Sequence, residues 1–185
     1  MRPFKAIALD GHDAVGKTTF AKRLAIALGG TYVRPFGPPL GEALLLAQKS
    51  HQEEEIVKLG IQGIRGVARC ASDNDLLVFD RCWITVLTLL STSARKEFPR
   101  EIPTIVCWAN LSTTIDRLRA RGEDVGLVES HEMYIKIYLE LANEYGCPIV
   151  DTSLKSLDSA FAEVLGLAKR YISTAVSLSF SATVE

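Results

Sequence analysis

Two hydrophobic periods alternate along this chain. Short runs of apolar and β-favouring residues at 4–9, 31–34, 76–79, 103–109 and 147–151 suit strands, the longer of them apolar enough to be covered on both faces. Between them the apolar positions return at helical spacing. Phe20, Leu24, Ala27 and Leu28 mark a helix over 18–28, and the leucines and alanines of 41–49 a second. Ile56, Leu59, Ile64, Val67 and Ala68 line one face of a helix over 53–71, and another runs over 84–96. A helix ending at Arg121 starts from a Ser112 or Thr113 cap, with Asp116 in its first turn. Met133, Ile137 and Leu141, with Tyr134 and Tyr138, stripe 128–145, and 157–171 is the last helix.

The punctuation between these segments is chemical. Gly29-Gly30 ends the first helix, the proline-rich 35–39 turns the chain after the second strand, and Ser50-His51-Gln52-Glu53 reads as a capped helix start. Ser72 to Asp75 forms a turn, and 97–101 a loop. Strands alternating with helices predict an α/β fold, a three-layer sandwich with a five-stranded parallel sheet and helices on both faces. One domain is expected over 1–172. The segment 173–185 reads as a weakly ordered tail, whose alternation from Ala175 to Phe180 leaves room for an added strand.

Composition narrows the function classes. With 185 residues, 48% apolar and 23% charged, the chain supports one soluble core. A formal net charge of −1 gives no global field for a polyanion, so a nucleic-acid polymer is not an expected partner. Cys70, Cys82, Cys107 and Cys147 are too dispersed for a zinc site or a disulfide framework and read as core thiols of a reduced compartment. No signal-like start and no membrane-length apolar run occur; a cytoplasmic protein without a membrane partner is expected.

The chemistry concentrates in Gly11-His12-Asp13-Ala14-Val15-Gly16-Lys17-Thr18, followed by Thr19. This is the spacing of a phosphate-binding loop, and it lies between a predicted strand and a predicted helix as such a loop must. The glycines let successive N–H groups face an anion, aided by the positive end of the following helix. Lys17 then neutralises the β- and γ-phosphates of ATP, and Thr18 offers an oxygen to magnesium. The fold expected is therefore of the P-loop NTPase type.

Other candidates follow from position. Asp80 and Arg81 close the 76–79 strand, at the end of a parallel sheet where ligands bind. Asp80 suits magnesium or an acceptor oxygen, and Arg81 a phosphoryl group. Asp10 and Asp13 bracket the loop's first half; a carboxylate there calls for a hydroxyl or a cation, so Asp13 is read as a sugar-hydroxyl or magnesium-water acceptor. Arg117 and Arg121 share a helix face next to the glycine-hinged segment 122–128, read as a lid. They either complement the helix dipole or reach the transferring phosphoryl group. Arg65 and Arg69, with Lys58 and Gln62, offer cations for an acceptor phosphate or form a solvated face. Trp83 stacks on a base or packs in the core. His12, His51 and His131 lack partners at metal spacing and are assigned no catalytic or ligand role.

Together Asp10 to Thr19, Phe79-Asp80-Arg81, Arg117 to Glu123, Tyr138 to Ala142 and Pro148 to Thr152 resemble the thymidylate kinases over most of the chain. The resemblance implies magnesium-ATP as donor, Asp13 on a deoxyribose hydroxyl, Asp80-Arg81 at the acceptor phosphate and metal, and a homodimer. Cys82 replaces the family's aromatic or histidine, and neither the loop, with Ala14 and Val15, nor the lid from Glu123 to Glu129 carries the family's catalytic arginine. Transition-state charge would then fall to Lys17 with Arg117 or Arg121, or to magnesium. The expected activity is phosphoryl transfer from ATP to a deoxynucleoside monophosphate of the thymidylate type. Kinases of nucleosides or other small hydroxyl compounds, and nucleotide-hydrolysing switches, are the rivals.

Overall fold

The computed structural model describes residues 5–69 and 75–174. In chain order the elements are β1 (Lys5–Asp10), α1 (Lys17–Leu28), β2 (Thr31–Val33), α2 (Leu40–Lys49), α3 (Glu53–Ala68) and β3 (Leu76–Asp80). Then follow α4 (Trp83–Leu87), α5 (Thr92–Arg95), β4 (Thr104–Trp108), α6 (Leu111–Ala120), α7 (Val128–Glu144), β5 (Ile149–Asp151) and α8 (Leu157–Thr174). The strands form one parallel sheet in the order β2-β3-β1-β4-β5. β1 is therefore central, and its Ile7, Ala8 and Leu9 are wholly buried.

Strand alternation divides the core in two. Ala6 and Ala8 of β1, Leu77 and Phe79 of β3 and Val106 of β4 face a cluster with Phe36, Ile56, Ile64, Val86 and Leu141, from the α2, α3, α4 and α7 side. Ile7 and Leu9, Val78, and Ile105 and Cys107 face the other, with Phe20 and Leu24 of α1 and Val164 and Ala168 of α8. The same alternation aims the polar ends of the two central strands: Asp10 follows the Ala8 face toward α4, and Asp80 follows the Val78 face toward α1. Every described cysteine is a free thiol, Cys82 and Cys107 buried and Cys147 partly so.

Several local expectations change. The helix over 84–96 is two short ones: after α4 the chain breaks, and the Glu53 carboxylate accepts hydrogen bonds from Ser91 N and Oγ at 2.6 and 3.0 Å. Glu53 is thus drawn to Ser91, and no side chain caps α3, whose N-cap is Gln52; Ser50 instead closes α2 and His51 turns left-handed at φ 53°. The cap of α6 is Asn110, whose Oδ1 accepts from Thr113 N at 2.9 Å and Ser112 Oγ at 3.0 Å. That geometry fits because Asn110 holds an extended ψ of 165°. Cys70, most of the turn predicted over 72–75 and the strand considered from Ala175 to Phe180 lie outside the described residues. No described helix is long and apolar enough to cross a membrane.

Candidate active site

Residues 11–16 join the central strand to α1 and wrap a space at the C-terminal end of the sheet. Gly11 takes φ 138°, and a Cβ there would lie 2.0 Å from the Cys107 carbonyl oxygen of β4, so only glycine fits between these two strands. Gly16, at φ 91°, is the N-cap of α1; no acidic residue in the first turn neutralises that helix end. Lys17 is nearly buried, and its ammonium donates to the His12 carbonyl within the loop. Burial, then the nearby Arg81 guanidinium, pull its pKa down to about 7, against the opposing pull of Asp13 and Asp80.

Thr18 and Asp80, the two residues expected at magnesium, lie side by side. The Thr18 hydroxyl donates to Asp80 Oδ2 at 2.7 Å, and the Tyr32 hydroxyl donates to the same oxygen at 2.9 Å. Burial, followed by the Asp80 hydrogen bond, pushes the Tyr32 phenol up to about 12, so it stays a donor. A hydroxyl and a carboxylate beside a phosphate loop are the hard oxygen donors that magnesium takes. Nothing local in the sequence marks Tyr32, whose partner lies 48 residues away.

Asp10 and Asp13, so close in sequence, do different work. Asp10 is fully buried and accepts from Cys82 N at 3.0 Å, Thr85 N at 3.2 Å and Thr85 Oγ1, which caps α4 from a neighbouring strand. Burial pushes its pKa up, with the Thr85 hydrogen bond opposing. Asp13 is instead half-exposed and pairs with Arg81 Nη2 at 2.5 Å. Its burial alone would raise the pKa; the Arg81 and Lys17 charges outweigh that and hold it at about 2. Arg81 itself sits at φ 73°, a left-handed backbone that leads from β3 into α4. Its Nη1 reaches 3.4 Å from both the Gly11 carbonyl and the Tyr138 hydroxyl.

A cavity of about 380 Å³ opens beside the loop. His12, Asp13 and Arg81 line it from the phosphate loop and the end of β3, while Arg34 and Phe36 of the link after β2 and Glu42 of α2 also contribute to its lining. Tyr134 and Tyr138 of α7 complete it. His12 stacks parallel to Tyr134 at a centroid distance of 5.9 Å, and Tyr134 is held by a 2.7 Å hydrogen bond from Gln48. His12 Nε2 also lies 2.7 Å from His131 Nδ1, and His131 Nε2 lies 2.5 Å from the Val125 carbonyl. Metal spacing gives no sign of this pair, because the partnership spans 119 residues and leaves no local signal.

The remaining candidates fall outside this cavity. Trp83 is 4% exposed, donates to the Ile102 carbonyl at 2.9 Å and meets Tyr145 edge-on, so it packs in the core and cannot stack on a ligand base. Arg65 and Arg69 lie toward the end of α3 and do not line the cavity. Arg117 bridges the outside of the loop to the end of β5, donating to the Ala14 carbonyl at 3.2 Å, to Thr152 Oγ1 at 2.9 Å and to the Thr152 carbonyl at 2.6 Å. Arg121 pairs with Glu123 at 3.2 Å at the base of the proposed lid, where Gly122 and Gly126 turn left-handed.

Neither a known family model nor a curated protein sequence matches the chain. Its fold does match solved structures. Deoxyadenosine kinase from M. mycoides, solved with the products dCMP and a flexible dCDP, superposes with a TM-score of 0.57 at 16% identity, over 89% of this chain and 98% of that one. The same enzyme has been solved with dATP, and aligns with a TM-score of 0.59 at 15% identity over 89% and 99%. YorR protein from Bacillus subtilis, in complex with phosphorylated GDP, aligns with a TM-score of 0.59 at 18% identity over 89% and 96%. The five-stranded parallel sheet with its flanking helices is thus the fold shared with these solved structures, the P-loop NTPase-type sandwich expected from the sequence.

Proposed function

We propose that this chain transfers the γ-phosphoryl group of ATP to a deoxynucleoside monophosphate, with a pyrimidine nucleotide of the thymidylate type as acceptor. The observation that carries this reading is a shared wall: His12, Asp13 and Arg81 belong at once to the phosphate loop's surroundings and to the adjacent cavity. A donor phosphate on the loop and an acceptor in the cavity would meet across Arg81. Loop amides and Lys17 hold the donor phosphates; Thr18 and Asp80 hold magnesium, which supplies charge neutralisation when bound. Arg81, fixed by Asp13, positions its guanidinium where the two substrates approach. Arg117 keeps the loop's outer turn in place through the Ala14 carbonyl.

The cations favour a phosphorylated acceptor. Arg34 lines the same cavity as Arg81, and among the described residues its guanidinium has no hydrogen bond or ion pair. An unpaired guanidinium facing a small-molecule cavity suits a phosphate. A nucleoside acceptor is the second reading, favoured by the likeness to deoxyadenosine kinase. A coupled ADP-release assay over thymidine, deoxycytidine, deoxyadenosine and their monophosphates decides. Turnover confined to the unphosphorylated compounds would overturn the monophosphate reading, and turnover with none of them would overturn the kinase reading.

A further inference from the structure

The two-histidine chain has a fixed direction. Val125 offers only a carbonyl oxygen, so His131 Nε2 must carry the proton it donates there. In the neutral form of the pair, His131 Nδ1 is then an acceptor and His12 Nε2–H donates to it across 2.7 Å. That leaves Nδ1 as the remaining acceptor of His12, and among the described residues nothing hydrogen-bonds to it. The ring lines the cavity, is clamped by its parallel contact with Tyr134, and is kept neutral because burial pulls its pKa down to about 4.

We infer that His131 holds His12 as a hydrogen-bond acceptor at the cavity wall, where His12 Nδ1 receives a hydroxyl or N–H of the acceptor molecule. His12 is then a substrate-positioning group, and His131 a positioning residue acting through it. The inference rests on the kinase reading above and adds the chemistry by which that site recognises its acceptor. It concerns a donor on the substrate, a sugar hydroxyl or a base N–H, and not its phosphate.

Steady-state kinetics of the wild type and four variants tests it, using whichever compound the acceptor panel identifies. His12→Leu and His131→Leu are expected to raise KM for the acceptor about tenfold, the scale of one lost hydrogen bond, with KM for ATP unchanged. His12→Asn and His131→Asn place an amide oxygen near the Nδ1 position and are expected to recover most of that loss. An unchanged acceptor KM in His12→Leu, or an equal rise for ATP and acceptor, overturns the inference. The tautomer is read separately from ¹⁵N–¹H correlation spectra of the imidazoles in the free protein. Protonation of His12 at Nε2 supports the inference and protonation at Nδ1 overturns it, whether or not any acceptor is turned over.

Discussion

Lys17 converts the site's burial into a measurable proton uptake. Its pKa falls from 10.5 to about 7 because the ammonium is withdrawn from water beside Arg81, so near pH 8 most of the nucleotide-free protein carries a neutral amine. A polyphosphate on the loop restores the charge, since it replaces lost hydration with several anionic oxygens. Binding must therefore draw in a proton: about 0.9 per nucleotide at pH 8 and about 0.1 at pH 6, from the titration of a single group near 7. The same arithmetic makes affinity fall about fifty-fold between pH 7 and pH 9. Magnesium-free ADP at pH 8 is the appropriate probe, because a phosphate titrating near pH 6 is already ionised there. Isothermal titration calorimetry in buffers of differing ionisation enthalpy counts the protons. Lys17→Met should abolish the uptake. Equal uptake in wild type and Lys17→Met, or none in the wild type at pH 8, would refute the argument. In the ligand-free protein a depressed lysine pKa also means that stability rises with pH between about 7 and 10.5, where the unfolded chain alone still holds the proton.

Three further outcomes are expected. Gly11→Ala places a methyl against the Cys107 backbone at a φ alanine avoids, so nucleotide affinity should fall at least a hundredfold by fluorescence titration while circular dichroism stays native. Asp10→Ala removes the buried cap of α4 and should cost about 2–4 kcal/mol in urea denaturation, far more than Asp13→Ala at its half-exposed position. Asp80→Asn should shift the magnesium dependence of turnover at least tenfold upward with a smaller effect on magnesium-free ADP binding, which isothermal titration separates.

The loop, the parallel sheet and the placing of Thr18 and Asp80 each at the edge of the site are legible because each follows a local rule: a glycine spacing, an apolar run, a residue at a strand end. What was not legible depended on contacts between distant segments. Asp10 brackets the loop in sequence without a role of its own, and strand alternation turns it toward α4, where the backbone of Cys82 and Thr85 engages it. The apolar pattern of 84–96 continued through a break that Glu53 stabilises from the start of α3. Leu87 at the end of α4 and Leu90 within the break are both buried and keep the helical spacing without the helix. Part of the cavity's lining, with Phe36 and Pro38, comes from a proline-rich segment whose sequence signals only a turn. His12 and His131 could be recognised as partners only once α7 was laid against the loop.

The backbone of Arg81 has one more implication. A non-glycine residue held at φ 73° stores on the order of 1–3 kcal/mol, which the surrounding sheet sustains through the amide of Arg81 bonded to the Leu9 carbonyl at 3.0 Å. The guanidinium is thus aimed during folding, before any substrate arrives, and capture of a ligand is spared the entropy of orienting it. Replacement by glycine would relax the chain while silencing the site, so thermal robustness and turnover are set in opposition at this position.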